Sequence, residues 1–316
     1  MPEIEKPCFF IVGAAKAGTT SVADYLSQHP DVYFSPVKEP NYFASDIDQS
    51  EFPEAVLQRL KAQDLDQVFR SKGQQKLHRA FIKDEATYLK LFSFAGENQV
   101  CGEASPSYLY SQTAANNIAR FNPAAKIIII LREPASRAYS HYLMDLRLTF
   151  EEGSFEEALA KDATTPTTSW GSRSLYRELG FYKNQVERYL QAFPREQILI
   201  LLHEELSRNT AAVMQEVMRF LKINPEAELN YRQSNSAIVP RNKLLRKLLA
   251  AHTLQVKMSY WLGKGPLKKL LKKFFYKKPE GLQANPETLQ QLRSEFRSDI
   301  EQLEKLTGLV LDNWKK

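Results

Sequence analysis

The chain has 316 residues, 43% hydrophobic and 25% charged, the balance of a folded globular protein rather than a disordered, collagen-like or coiled-coil one. No window approaches the ~18 uninterrupted apolar residues of a membrane span. The net charge of +6 is local, since residues 241–278 hold twelve Lys/Arg and no Asp/Glu and the rest of the chain stands at −6. An acidic remainder repels nucleic acid, so no nucleic-acid partner is expected. The opening Met1-Pro2-Glu3-Ile4-Glu5-Lys6-Pro7 has two acids and no apolar stretch, which predicts no secretory signal. Two cysteines, Cys8 and Cys101, cannot build a disulfide framework or a Cys-based zinc site, so a reducing cytoplasm is expected.

The first element is the apolar run Pro7-Cys8-Phe9-Phe10-Ile11-Val12, which reads as a buried strand. It enters Gly13-Ala14-Ala15-Lys16-Ala17-Gly18-Thr19-Thr20, and a helix follows with Val22, Tyr25 and Leu26 on one face, ended by His29-Pro30. Residues 44–98 give weak polar signals. Further strands are expected at Gln99–Gly102, at Lys126–Leu131 and at Gln197–Leu202. Pro134 suits the first position of a helix after the third strand, and another helix is expected over about 174–193. The last helix reads from Asn285 as N-cap and Pro286, with Leu289, Leu292, Phe296, Ile300 and Leu303 as its stripe and Gly308 as its stop. Apolar strands alternating with helices predict one α/β domain over 1–316, with a mostly parallel sheet and helices on both faces.

Gly13-x-x-x-x-Gly18-Thr19-Thr20 between a strand and a helix has phosphate-loop spacing, in which backbone N–H groups and the helix N-terminus face one anion. An NTPase loop needs lysine directly after the second glycine and an acid at a neighbouring strand end for magnesium. Here Thr19 follows Gly18, Lys16 sits inside the loop, and the strongest strand ends in Leu131-Arg132-Glu133. A cation at that strand end predicts a second anion site and no metal.

These residues resemble a known family. Pro7–Phe43, with the glycine loop, Ser21, His29-Pro30 and Lys38-Glu39-Pro40-Asn41-Tyr42-Phe43, is similar to the phosphosulfate-binding region of sulfotransferases that use 3′-phosphoadenosine 5′-phosphosulfate (PAPS). The closer branch contains heparan-sulfate-type and bacterial sulfotransferases. Leu131-Arg132-Glu133-Pro134 with Ser140-His141-Tyr142 resembles the 3′-phosphate motif, and Gly102–Tyr108, Gly180-Phe181-Tyr182, Phe193-Pro194 and Trp314 fit further family blocks. The resemblance implies a P-loop-kinase-like sulfotransferase fold, PAPS as co-substrate, and release of PAP. It implies that Lys16, Ala17, Gly18, Thr19, Thr20 and Ser21 hold the phosphosulfate and that Arg132 and Ser140 hold the 3′-phosphate. Lys16 is then catalytic, and Glu39 takes the position of the family's general base, while its place before Pro40 in a polar loop also reads as a plain surface acid. Asn235 and Arg241 fall in a late loop that closes over PAPS.

His141 reads as a packed helix-face residue, His29 as a helix-end residue, and Asp145 and Arg147 as solvated. Tyr182 fits either the nucleotide pocket or the core. Asn41 and Ala104 stand where glycosaminoglycan enzymes commonly have His and Lys, so the acceptor stays open among carbohydrate, lipid and small molecule. Its pocket is expected from loops 44–98 and 145–175. A P-loop nucleotide kinase, or a membrane-docking protein with a degenerate nucleotide fold, is the alternative. Leucines and lysines at helical spacing make 241–278 either a lid or a contact with anionic membrane.

Overall fold

In a computed structural model, the structure describes residues 6–148, 150–164, 170–171, 174–231, 239–240, 276–277 and 284–316. Asn235, Arg241 and the basic segment, apart from 276–277, lie outside the described residues.

Five parallel strands form the central sheet. They are β1 (Phe9–Gly13), β2 (Val32–Phe34), β5 (Val100–Ala104), β6 (Lys126–Leu131) and β7 (Ile198–Leu202), ordered β2-β5-β1-β6-β7. All of β1 is buried, as is all of β6 beyond Lys126, which is why both sequences are continuously apolar: helices cover both faces. The chain runs from β1 to one side through β2 and β5 and to the other through β6 and β7. The carboxyl ends of β1 and β6 therefore flank the crevice where an open α/β sheet takes ligands. The register runs from Phe9↔Lys126 to Ile11↔Ile128, shifts once, and resumes at Gly13↔Ile129.

The four expected strands are present within a residue or two of their predicted bounds, and the expected helix is α1 (Thr19–Leu26), which stops short of His29-Pro30. The C-terminal helix spans Pro286–Thr307, with the Asn285 side chain accepting from the Glu287 N–H at 2.9 Å and Gly308 closing it at φ 75°. Glu133 caps the helix α7 (Pro134–Leu148) by accepting from Ala135 and Ser136 N–H at 2.9 and 2.8 Å.

Two expectations are corrected. The helix expected over about 174–193 is a short 3-10 turn, Glu178–Gly180, followed by α9 (Tyr182–Ala192). Its start is set from outside: the Asp299 carboxylate on the C-terminal helix accepts the Tyr182 and Lys183 N–H groups at 2.7 and 3.2 Å. The stretch around Glu39 is not a loop. Val37–Glu39 is a strand, β3, paired in parallel with β4 (Leu77–Arg79), and this small sheet stands apart from the main one. Three further helices, α2 (Glu54–Lys61), α3 (Leu65–Arg70) and α4 (Glu85–Lys90), occupy the weakly patterned stretch around β4. No described helix is long and apolar enough to cross a membrane.

Candidate functional site

The glycine loop leaves β1 and turns into α1 at Gly18. Gly18 sits at φ 103°, and a Cβ there would lie 3.1 Å from the imidazole of His203, so the position takes only glycine comfortably. No side chain caps α1 and its first turn carries no acid, which leaves its positive end for an anion. Two loop carbonyls are held by side chains from neighbouring strand ends. Arg132 Nη1 donates to the Lys16 carbonyl at 3.1 Å, and His203 Nδ1 lies 3.0 Å from the Ala17 carbonyl. Burial and the Arg132 charge lower the His203 pKa to about 4, so it is a neutral donor at that carbonyl. Ala17 itself is fully buried under the loop.

Lys16, Gly18, Thr19, Thr20, Ser21, Arg132 and Ser140 all line one cavity of about 1200 Å³. Lys16 Nζ rests 3.5 Å from Met144 Sδ. Burial and the charges of Arg147, Arg132 and Arg137, opposed by Asp145, lower its pKa to about 8. Arg132 is pulled down by burial and held up by Glu204, Tyr182 and Glu133. Tyr182 is a core residue: it is fully buried and its hydroxyl donates to the Arg132 carbonyl at 2.9 Å. Beneath this surface Arg137 is fully buried and donates to the Tyr176 carbonyl, while its Nε and Nη1 meet no acceptor among the described residues. Buried cations with unspent hydrogen-bonding capacity around an uncapped helix start fit a ligand with phosphate-like groups.

Glu39 lines the same cavity. It is 5% exposed, so the reading of a surface acid near Pro40 gives way to a buried ion pair. Arg79 Nε donates to Oε2 at 2.7 Å, Lys38 Nζ to Oε1 at 2.9 Å, and His78 Nε2 lies 3.6 Å away. Burial alone would raise the carboxyl; Arg79, Lys38 and His78 outweigh it and hold Glu39 well below the usual carboxylate range. The following residue pair is locked from two sides. Asn41 Nδ2 donates to the Glu39 and Ala80 carbonyls at 2.8 and 2.7 Å, and Ser107 donates to Asn41 Oδ1 at 2.5 Å. Ser105 links Asn41 to Glu103, which also accepts from Tyr88 and Tyr108 and is raised by burial to about 7. Asn41 is thus a clamp, and Ala104 is buried at the end of β5.

The structure also overturns the reading of Asp145 as solvated. It is 2% exposed, accepts from the Tyr176 hydroxyl at 2.8 Å and lines the cavity, as Arg147 does. Burial lifts Asp145 to about 6. The helical spacing 140-141-144-145-147 on α7 was a signal for this face, since Ser140, His141, Met144, Asp145 and Arg147 all reach the cavity. His141 packs edge-on against Tyr176 at 5.3 Å, and burial with the Arg137 and Lys16 charges keeps it neutral. His29 lies beyond the end of α1, which closes at Leu26, and is buried, bonding the Asn224 carbonyl at 2.9 Å. His203, which follows β7, had no sequence signal beyond its place at a strand end.

Geometry of this kind, a phosphate loop with an internal lysine beside an arginine-ended strand, defines an anion-binding α/β protein of the nucleotide-using class. A family model described as the sulfotransferase family matches residues 7–227, and the chain belongs to that family. The bifunctional heparan sulfate N-deacetylase/N-sulfotransferase 3 of Mus musculus is 30% identical over 230 residues, 69% of this chain and 22% of that protein. The heparan sulfate glucosamine 3-O-sulfotransferase 3B1 of Homo sapiens is 26% identical over 217 residues, 68% of this chain and 46% of that one. The chain thus spans less than half the length of these curated relatives. The crystal structure of a sulfotransferase from Alicyclobacillus acidocaldarius superposes with a TM-score of 0.69 at 29% identity, covering 99% of this chain and 100% of that one.

Proposed function

We propose that the protein transfers a sulfuryl group from PAPS to a hydroxyl or amine acceptor and releases PAP. The carrying observation is one cavity that joins the cationic cradle of Lys16 and Arg132 to the ionised carboxylate of Glu39. On this reading the loop N–H groups, Thr19, Thr20, Ser21 and Lys16 hold the 5′-phosphosulfate, and Arg132 and Ser140 hold the 3′-phosphate. The acceptor oxygen or nitrogen bonds to sulfur while the bond from sulfur to the bridging oxygen breaks. The electron pair stays on the departing phosphate, where Lys16 offsets the new charge. The acceptor proton passes to Glu39. Arg79 and Lys38 make Glu39 a weak base toward a free alcohol. Proton transfer therefore belongs late, once bonding to sulfur has acidified the acceptor.

Asn235 and Arg241 complete the donor site in this proposal. The basic segment 241–278 is proposed to touch anionic membrane, each engaged lysine contributing about 1 kcal/mol, with the enzyme in the cytoplasm. Salt-sensitive pelleting with anionic but not neutral vesicles tests that contact. Relatives named for heparan sulfate put carbohydrates among the acceptors to be tried, beside lipids and small molecules.

Thermal shift with PAP, with ATP and magnesium, and with no ligand tests the donor. Stabilisation by PAP alone is expected; stabilisation by ATP and magnesium alone would make the protein a kinase. Labelled PAPS with a cell extract then reads transfer itself.

A further inference from the structure

We propose that the acceptor hydroxyl is carried on a flat aromatic scaffold, a phenol or arylalkanol, seated against Phe52, Phe81 and Trp170. This rests on the sulfuryl-transfer reading and names its acceptor class.

The wall of the cavity changes character beside Glu39. Ala80 N–H bonds the Glu39 carbonyl at 2.8 Å and Ile82 N–H bonds the Pro40 carbonyl at 3.0 Å, so the chain stays extended past β4. Side chains two apart on an extended segment face the same way. Arg79, on the Glu39 carboxylate, and Phe81 accordingly both line the cavity. Phe81 meets Phe52 edge to face with ring centroids 5.2 Å apart. The place of Phe52 is built into the backbone: a Cβ on Gly171 would lie 2.6 Å from its ring, and Gly171 sits at φ +86°. Next to Gly171, Trp170 lines the cavity and packs at 6.2 Å against Tyr110. Val56 of α2 extends the same wall. Three rings and a branched aliphatic side chain line the same cavity as the carboxylate, and a planar apolar ligand satisfies them by edge and face contacts.

The cations paired with Glu39 and Glu151 are engaged. Arg79 and Lys38 hold Glu39, and Lys161 holds Glu151 at 3.0 Å. A polyanionic sugar chain would have to draw those cations off their carboxylates, whereas an aryl ring leaves them in place. Size agrees as well. One ligand site usually measures about 300–1,000 Å³. The cavity, at about 1200 Å³, has room for a nucleotide and a compact second ligand.

The test uses the full chain with PAPS and two acceptor probes, 2-naphthol and N-desulfated heparin fragments. The expected kcat/KM for 2-naphthol exceeds that for the sugar by about 100-fold. Phe81→Ala should raise the KM for 2-naphthol by about 10- to 100-fold, with kcat within about twofold and the PAP Kd unchanged. Val56→Asp should move KM in the same direction. Its unchanged PAP Kd again shows a folded donor site. Preference for the heparin fragments, transfer to neither probe by a PAP-binding protein, or an unchanged KM in both variants overturns the proposal. A wild-type chain that fails to bind PAP would instead sink the donor reading on which it rests.

Discussion

Lys16 should couple binding of the proposed donor to pH. Burial first, then Arg147, Arg132 and Arg137, lower it to about 8, with Asp145 in opposition. Holding it charged in the free protein costs about 3 kcal/mol relative to water. A phosphate-bearing ligand against the ammonium removes that cost and restores the ordinary lysine pKa. At pH 8.5 roughly three quarters of free molecules carry a neutral Lys16, so binding of PAP should take up about 0.8 proton; at pH 7 the uptake should be about 0.1. The affinity should hold steady to about pH 7.5 and be about 30-fold weaker at pH 9.5. Other groups facing the site are silent in this window: Asp145, at about 6, is already ionised, His203, at about 4, is neutral, and His141 is neutral too. The second ionisation of a phosphate monoester, near 6, is also complete. Calorimetry at pH 8.5 in two buffers of different ionisation enthalpy reads the uptake directly. Lys16→Arg, which stays charged, should abolish it. Equal binding enthalpies in both buffers for the wild type, or uptake that survives in Lys16→Arg, would refute this account.

Arg132→Ala should weaken PAP binding by about 1.5–3 kcal/mol, the worth of a charge-assisted bond, and calorimetry on the folded variant checks it. Glu39→Gln should keep the PAP Kd and lose about 10²–10⁴ in turnover; near-normal turnover would move the base to another residue. Glu103 is raised from 4.5 to about 7, so the folded protein binds more protons than the unfolded chain between those values. Its contribution is full below about pH 4.5 and lost as pH rises through about 7, so wild type should lose up to about 3 kcal/mol relative to Glu103→Gln across that range in denaturant titrations.

What was legible in the sequence is what is local. Phe9 to Gly18 encodes a buried strand and a tight anion loop within ten residues, and Asn285, Pro286 and Gly308 mark both ends of a helix by their own backbone chemistry. Lys16, Arg132 and Ser140 could be placed together because strand ends of one parallel sheet meet at one edge. The Glu39 environment was not legible, because it depends on Arg79, forty positions away, through a strand pair of three residues each. The start of α9 depends on Asp299, still more distant. Asp145 misled for a related reason: an acid on a helix reads as solvated unless the neighbouring Tyr176 and Lys16 are known.

The cavity's two halves therefore have different origins. The proposed donor half is assembled from the carboxyl ends of β1, β6 and β7, where the sheet itself fixes the spacing of Lys16, Arg132 and His203. The proposed acceptor half comes from pieces outside the main sheet, among them Phe52, Val56, Phe81 and Trp170, brought together only by tertiary packing. Such pieces can change without disturbing the donor, which is how one fold serves many acceptors. Asn41 shows how the halves are tied in this chain. With φ at 52° it bridges the carbonyls of Glu39 and Ala80 and accepts from Ser107, two residues beyond Ser105 on the β5 side. The Glu39 carboxylate, the base on the proposed reading, and the segment that carries Phe81 are thereby held in one register, anchored to the central sheet through Glu103. A residue whose position in the sequence bears on the acceptor acts, on the proposed reading, one step back, setting the distance between Glu39 and the wall that carries Phe81.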